Sequence, residues 1–275
     1  MILDLQDSGG YRHFDRAQCV AEGAKRADAY RDARPYPHIV MDDFLDAGLL
    51  RRVVAEFPHR DGRTFFDRPQ ERFKYQFDPN TVDSGVIRNL LAELNGEPFL
   101  AFLTAMTGIE NLIPDPYFTG GGLHETLAGG HLSVHADFNI HGGMNVERRL
   151  NLLVYLNDDW DAAWGGELEL WDKGMRRAAV SVAPLLGRAV VFNTTLQNFH
   201  GQPDPLRCPP DRSRRSIATY YYTAVEGAGK EPLRMTTFQQ RPGSGDRSDR
   251  GVKYAHFVRD WVPPRLQKYA MKLWR

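Results

Sequence analysis

Between residues 131 and 225 the apolar positions fall in short runs: HLSVHADF, RLNLLVYLN, GELELW, AAVSVAP, RAVVFN and RSIATYYYT, punctuated by Gly, Pro, Asn and Asp. Runs of this length, rich in Val, Leu, Tyr and Thr, predict β-strands, and their spacing predicts a barrel or sandwich. Upstream the pattern differs. Residues 16–32, Ala-rich and charged, predict a surface helix. Residues 34–46 predict a short strand followed by Asp46, an N-cap for the helix AGLLRRVVAEF. Residues 60–80 mix charges and aromatics with no clear period, as in a long loop or irregular hairpin. Residues 84–107 predict two helices broken near Asn95-Gly96. Downstream, 226–250 reads as a polar loop and 256–275 as a last helix interrupted by Pro263-Pro264. The expected class is mainly β with flanking helices. It is laid out as one domain over 1–275: a helical and loop region at 1–110 that supports the core and selects substrate, a β core at 115–225, and a polar loop with a C-terminal helix at 226–275.

Composition narrows the function more than the fold. Lys+Arg and Asp+Glu are both 35, so the formal net charge is zero. No basic field points to nucleic acid or to an anionic membrane surface. The first residues, MILDLQDSGG, acquire an acid by position 4 and form no apolar leader, and no run approaches the ~18 apolar residues of a membrane span. Two cysteines, Cys19 and Cys208, are too few for a disulfide framework; a reducing, cytoplasmic setting is expected.

The chemistry begins at HLSVHADFN. Residues i and i+2 of a strand point to one face, so His135 and Asp137 project side by side. His200, after the strand RAVVFN and before a Gly, is the candidate third ligand from a neighbouring strand. Two His and one carboxylate on one face of a metal form the facial triad of non-haem Fe(II) oxygenases, with open positions for substrate and O2. The alternative is three polar strand residues satisfied by hydrogen bonds. Fourteen positions after His200, Arg214 and Ser216 share a strand face, a guanidinium fork and a hydroxyl suited to a carboxylate. Arg215 points the other way.

On His135-x-Asp137, His200, Arg214-x-Ser216 and the block RRLNLLVYLNDDWDAAWGGELELWD (148–172), the chain resembles the Fe(II)/2-oxoglutarate-dependent oxygenases, in their prolyl-hydroxylase-like branch, over residues 115–225. The resemblance implies a double-stranded β-helix (jelly roll) core, Fe(II), 2-oxoglutarate and O2 as co-substrates, and ascorbate as a possible reductant. It implies that Arg214 binds the far carboxylate of 2-oxoglutarate and that Tyr155 reaches the same group. Along RLNLLVYLN, Arg149, Asn151, Leu153 and Tyr155 share a face, which makes Asn151 a further pocket candidate. His131, in alternation with His135, and His141, in a Gly-bearing turn, are candidate substrate contacts. Gly165-Gly166 is expected to permit close strand approach. Arg63, Phe65, Phe66, Arg72 and Tyr75 form either a substrate lid or a solvated loop. Halogenases of this superfamily have a small residue where Asp137 stands, so the carboxylate implies hydroxylation or a related two-electron oxidation. The expected substrate is a small molecule or peptide residue: an amino acid, a peptidyl side chain or a natural-product intermediate. A non-catalytic jelly-roll binding module with a vestigial metal site and a cupin-type metalloenzyme that needs no co-substrate are the competing readings.

Overall fold

The computed structural model describes residues 1–60, 64–225 and 232–273. In chain order the elements are β1 (Leu5–Ser8), β2 (Tyr11–Phe14), α1 (Arg16–Ala24), α2 (Ala27–Asp32), β3 (His38–Met41), α3 (Ala47–Ala55), β4 (Thr64–Arg68), β5 (Glu71–Phe77), α4 (Gly85–Leu94) and α5 (Glu97–Thr107). There follow β6 (Ile113–Pro114), β7 (Gly122–Ala136), β8 (Ile140–His141), β9 (Val146–Tyr155), β10 (Leu168–Trp171), β11 (Ala178–Val182), β12 (Ala189–Asn193), β13 (His200–Gln202), β14 (Ser213–Ala224), β15 (Thr237–Phe238), α6 (Arg250–Trp261) and α7 (Pro264–Leu273).

Local signals explain most of the helices. Asp46 accepts from the Leu49 amide at 2.7 Å and starts α3, which buries Leu49, Leu50 and Val53. Ser84 caps α4 in the same way, and the pair α4–α5 is split at Asn95-Gly96. The helix expected over 16–32 is two helices, α1 and α2, with a break at Lys25–Arg26 beyond which Tyr30 turns into the core. Residues 60–80 contain the irregular hairpin β4–β5, whose register shifts between Phe66 and Arg68; Arg63 lies outside the described residues. In the expected polar loop 226–250, residues 226–231 lie outside the described residues, and 237–238 form β15 against β7. The last helical segment starts at 250, earlier than expected, because Asp249 accepts from the Val252 amide and caps it.

Thirteen described strands join one antiparallel sheet, in the order β11-β10-β13-β7-β14-β9-β12-β3, with β5 and β15 also paired to β7. The 15-residue β7 serves two sets of neighbours. Its first half pairs with β14 and its second half with β13, so the sheet turns over on itself and nearly closes into a barrel, the form of a jelly-roll core. Strand alternation then sorts the residues. On β9, Leu150, Leu152 and Val154 face α1–α5 in the main core with Ala189, Val191, Ile217 and Tyr221. Tyr155 points inward with Val190, Phe192, Leu168 and Leu170, and Leu153 packs against that cluster. The strand run that the sequence places from 131 onward begins at Gly122. Its first half, GLHETLAGG, interleaves His, Glu and Thr with glycines and gives no apolar alternation.

Candidate metal centre

His135, Asp137 and His200 meet inside this barrel. One donor atom from each lies within 4.8 Å of the others. His135 sits near the end of β7, Asp137 follows that strand, and His200 opens β13 directly opposite His135 in the sheet register. Nε2 of His135 is 3.6 Å from Asp137 Oδ1, and Nε2 of His200 is 3.4 Å from Oδ2. Metal–ligand bonds of about 2.1 Å at right angles would set neighbouring donors about 3 Å apart, so small side-chain adjustments close the triad. Nδ1 of His135 lies 2.9 Å from the Ser133 carbonyl and Nδ1 of His200 3.3 Å from the Asn198 carbonyl. A carbonyl only accepts, so each ring donates from Nδ1 and offers its Nε2 lone pair to the shared point. Burial, with His135 alongside, pulls the His200 pKa down to about 3, which keeps the ring neutral as a ligand must be. Burial opposes the charge of Asp137, yet the Arg148 guanidinium holds its carboxyl well below the usual range. Two imidazoles tethered through Nδ1 and one carboxylate, oriented before any ion arrives, fit Fe(II).

The triad opens on a cavity of about 280 Å³. Arg214 and Ser216 both line it, and both are buried. Arg214 is held by two contacts: its Nε donates to the Gly166 carbonyl at 2.7 Å and its Nη2 to the Tyr155 hydroxyl at 3.3 Å. Gly166 has φ +87°, and a Cβ there would stand 2.7 Å from Leu206 Cδ2 and 3.2 Å from Arg214 Cδ, so only glycine leaves room for the guanidinium. Tyr155 does not line the cavity itself; it lies beneath Arg214. Arg215 turns outward to Glu125 and the Phe57 ring. Asn151 lines the cavity, but its amide is spent on the metal site: Nδ2 donates to Asp137 Oδ2 at 2.8 Å, while its oxygen accepts from Arg148.

The structure does not bring His131 or His141 to the cavity. Gly201 on β13 stands opposite two residues of β7, Ser133 and Val134, because His200 pairs with His135 and Gln202 with Leu132. This bulge reverses the alternation between 131 and 135, so Leu132 faces the cavity and His131 contacts the Pro69 carbonyl. A Cβ on Gly201 would lie 2.9 Å from the Val134 backbone, so the bulge requires glycine. His141 is buried against Thr119 and Asp115. Of the suggested lid residues, Phe66 lines the cavity; Phe65 and Tyr75 stack on each other and Arg72 pairs with Asp67.

Several cavity residues carried no sequence signal. Arg148 is buried, pairs with Asp137 Oδ2 at 3.2 Å and lies 3.5 Å over the Tyr220 ring. Alternation from Asn151 selects Arg149; a register shift at β9 between Leu150 and Arg148 puts Arg148 inside instead. Lys74 and Gln76 of β5 lie across β7 from Arg214 and Ser216, with Thr126 and His124 between them.

Residues 121–222 match the 2OG-Fe(II) oxygenase superfamily. The span contains the triad, Arg214, Ser216 and Tyr155, and bears out the resemblance read from the sequence. The oxygenase match is joined by two similar folds. A prolyl-4-hydroxylase from Pseudomonas putida is 20% identical with a TM-score of 0.52, over 74% of this chain and 99% of that one. A prolyl hydroxylase from Trichoplax adhaerens, in complex with a hypoxia inducible factor oxygen degradation domain peptide fragment, is 16% identical with a TM-score of 0.55, over 75% and 92%. No curated protein matches the sequence. Cys19 and Cys208 are buried and unpaired, and among the described residues no helix is long and apolar enough to cross a membrane.

Proposed function

We propose that this protein is an Fe(II)- and 2-oxoglutarate-dependent dioxygenase that hydroxylates an unactivated C–H bond of an amino acid, a peptide residue or a natural-product intermediate. The observation that carries this is the pre-oriented His135–Asp137–His200 triad in the same cavity as Arg214. The metal and co-substrate supply the oxidising chemistry: 2-oxoglutarate, O2 and R–H become succinate, CO2 and R–OH. The chain's own part is orientation and exclusion of water. His135, Asp137 and His200 would hold the metal at the cavity wall. Arg214, fixed by Gly166 and Tyr155, meets the far carboxylate of 2-oxoglutarate, with Ser216 as an added donor. Asn151 and Arg148 fix the Asp137 carboxylate, and because that carboxylate is present, hydroxyl rather than halide transfer is the outcome. Helices α1–α5 back the sheet behind the site and complete one oxygenase unit. The buried free cysteines accord with a reducing, cytoplasmic setting.

The test is an anaerobic titration of Fe(II)-loaded protein with 2-oxoglutarate, watching for a visible metal-to-ligand charge-transfer band. The band is expected in the wild type and absent in His135→Ala. Folded, metal-loaded wild type without a band would overturn the proposal and favour the binding-module reading.

A further inference from the structure

The cavity holds more positive charge than the reaction needs. Its charged lining residues are Arg68, Lys74, Arg148, Arg214, Glu71 and Asp137, four cations against two carboxylates. A divalent metal and the 2-oxoglutarate dianion cancel each other, so the surplus of two persists with both bound. Arg214 is met by the far carboxylate, and Asp137 with the near carboxylate offsets the metal. The surplus therefore falls on two parts of the lining: Arg148 on β9, and the cluster Arg68–Glu71–Lys74 on the β4–β5 hairpin, two strands away across β7 and β14.

Two of these cations, Arg148 and Lys74, are not ordinary solvated charges. The side chains of Arg148 and Lys74 are 2% and 11% exposed. One carboxylate, Glu71, serves two cations: Lys74 Nζ at 2.9 Å and Arg68 Nη2 at 3.0 Å. Phe66 lies against both cations, and Arg68 also covers Phe238, whose ring packs 5.5 Å from that of His135. A basic and aromatic wall thus runs from the half-exposed Arg68 at the mouth to a metal ligand. Positive charge left unmatched in a site shielded from water is costly, and a bound anion relieves it. The volume adds a size limit: about 280 Å³ falls just below the usual range for ligand pockets, and 2-oxoglutarate occupies part of it.

We propose that the substrate oxidised here is a small anion, bearing a carboxylate or phosphate group held between Arg68–Lys74 and Arg148, and not an uncharged peptide segment. This rests on the dioxygenase reading and narrows its substrate class. The test uses full-length protein loaded anaerobically with Fe(II) and 2-oxoglutarate, with the charge-transfer band as a binding signal. The probes are free L-amino acids, their C-terminal amides, and inorganic phosphate. Free acids or phosphate are expected to shift the band while each matched amide binds at least about tenfold more weakly; which of the two acts tells carboxylate from phosphate recognition. Arg68→Gln is expected to weaken the active anion several-fold and to leave the 2-oxoglutarate titration within about twofold. Amides that act as strongly as acids, or a panel in which neither acids nor phosphate move the band, would overturn the inference and leave the dioxygenase reading standing. No band before any probe is added would remove that reading, and this inference with it.

Discussion

Arg148→Met separates the structural role of Asp137 from its role as a ligand. Arg148 is the main group that keeps the Asp137 carboxyl ionised against its burial, at 3.2 Å from Oδ2. Methionine keeps much of the side-chain length and removes the charge. In metal-free protein the substitution leaves a buried carboxylate facing Asn151 and the two ligand imidazoles. Removing one partner of a buried pair typically costs about 3–5 kcal/mol, and loss of the guanidinium over Tyr220 adds about 1 kcal/mol. At about 2–4 °C per kcal/mol for a chain of this size, the apo Tm should fall by on the order of 10 °C. In the metal-loaded protein the ion itself compensates Asp137, so the charge term shrinks and mainly the Tyr220 term remains. The rise in Tm on adding Fe(II) anaerobically, or Zn2+ as a redox-inert stand-in, should therefore be larger in the variant than in the wild type. Scanning calorimetry of both proteins with and without metal reads this directly. An equal loss of Tm in both states, or a smaller metal-induced rise in the variant, would show that Arg148 does not hold Asp137 through charge.

Three further outcomes follow from the same geometry. Tyr155→Phe removes the 3.3 Å contact to Arg214; at about 1 kcal/mol per lost hydrogen bond, the 2-oxoglutarate concentration for half-maximal charge-transfer absorbance should rise about fivefold, with metal affinity unchanged. Gly166→Ala forces a Cβ against Leu206 and Arg214 at φ +87°, so it should cost more than about 1 kcal/mol in denaturant titrations and weaken 2-oxoglutarate more than Tyr155→Phe does. Glu125, away from the cavity, is buried among Arg60, Ser213 and Arg215; burial opposes its charge, but Arg60, Ser213 and Arg215 prevail and lower its pKa. A depressed carboxyl stabilises above its unfolded pKa of about 4.3 and loses that contribution as pH falls through the folded value. Glu125→Gln should therefore cost on the order of 2 kcal/mol at pH 7, and the gap to wild type in urea midpoints should narrow on acidification towards pH 3.

The legible parts of the fold were those whose signal is local. Asp46 and Ser84 mark helix starts by their own side-chain chemistry, and the break at Asn95-Gly96 is a turn written in two residues. The triad was legible for a related reason: His135 and Asp137 are two apart on one chain segment, and Arg214 and Ser216 are two apart on another. β15 was not legible, since two residues, Thr237 and Phe238, become a strand only because β7 offers an open edge. The first half of β7 was hidden because both of its faces are occupied, one by the polar cavity floor His124 and Thr126, the other by Glu125 and its arginines, leaving no apolar–polar alternation to read.

The remaining errors at the site share one cause. Alternation with period two assigns a face correctly only while the register is unbroken, and three strands around this cavity carry a register shift. On β7 the shift opposite Gly201 sends His131 away and brings Leu132 in. On β9 the shift at Arg149 exchanges that residue for Arg148. On β5, Phe73 at φ 50° breaks the pairing between Arg72 and Lys74, so that Glu71, Lys74 and Gln76 all face the cavity although the first two are three apart. Each shift places a side chain that regular pleating would have turned outward: Leu132 beside the ligands, Arg148 against Asp137, and Glu71 beside Lys74. One of these three, Arg148, is a cation, so part of the surplus positive charge that argues for an anionic substrate arises where a strand departs from regularity. A chain with regular β5 and β9 would keep the triad and Arg214, and with them the means to bind metal and 2-oxoglutarate. It would lose Arg148 and Glu71 from the cavity walls and keep Lys74, which alternates regularly with Gln76. On this reading the ligand pair His135–Asp137 and the pair Arg214–Ser216 follow regular pleating, and Arg148 in the cavity wall follows from a bulge.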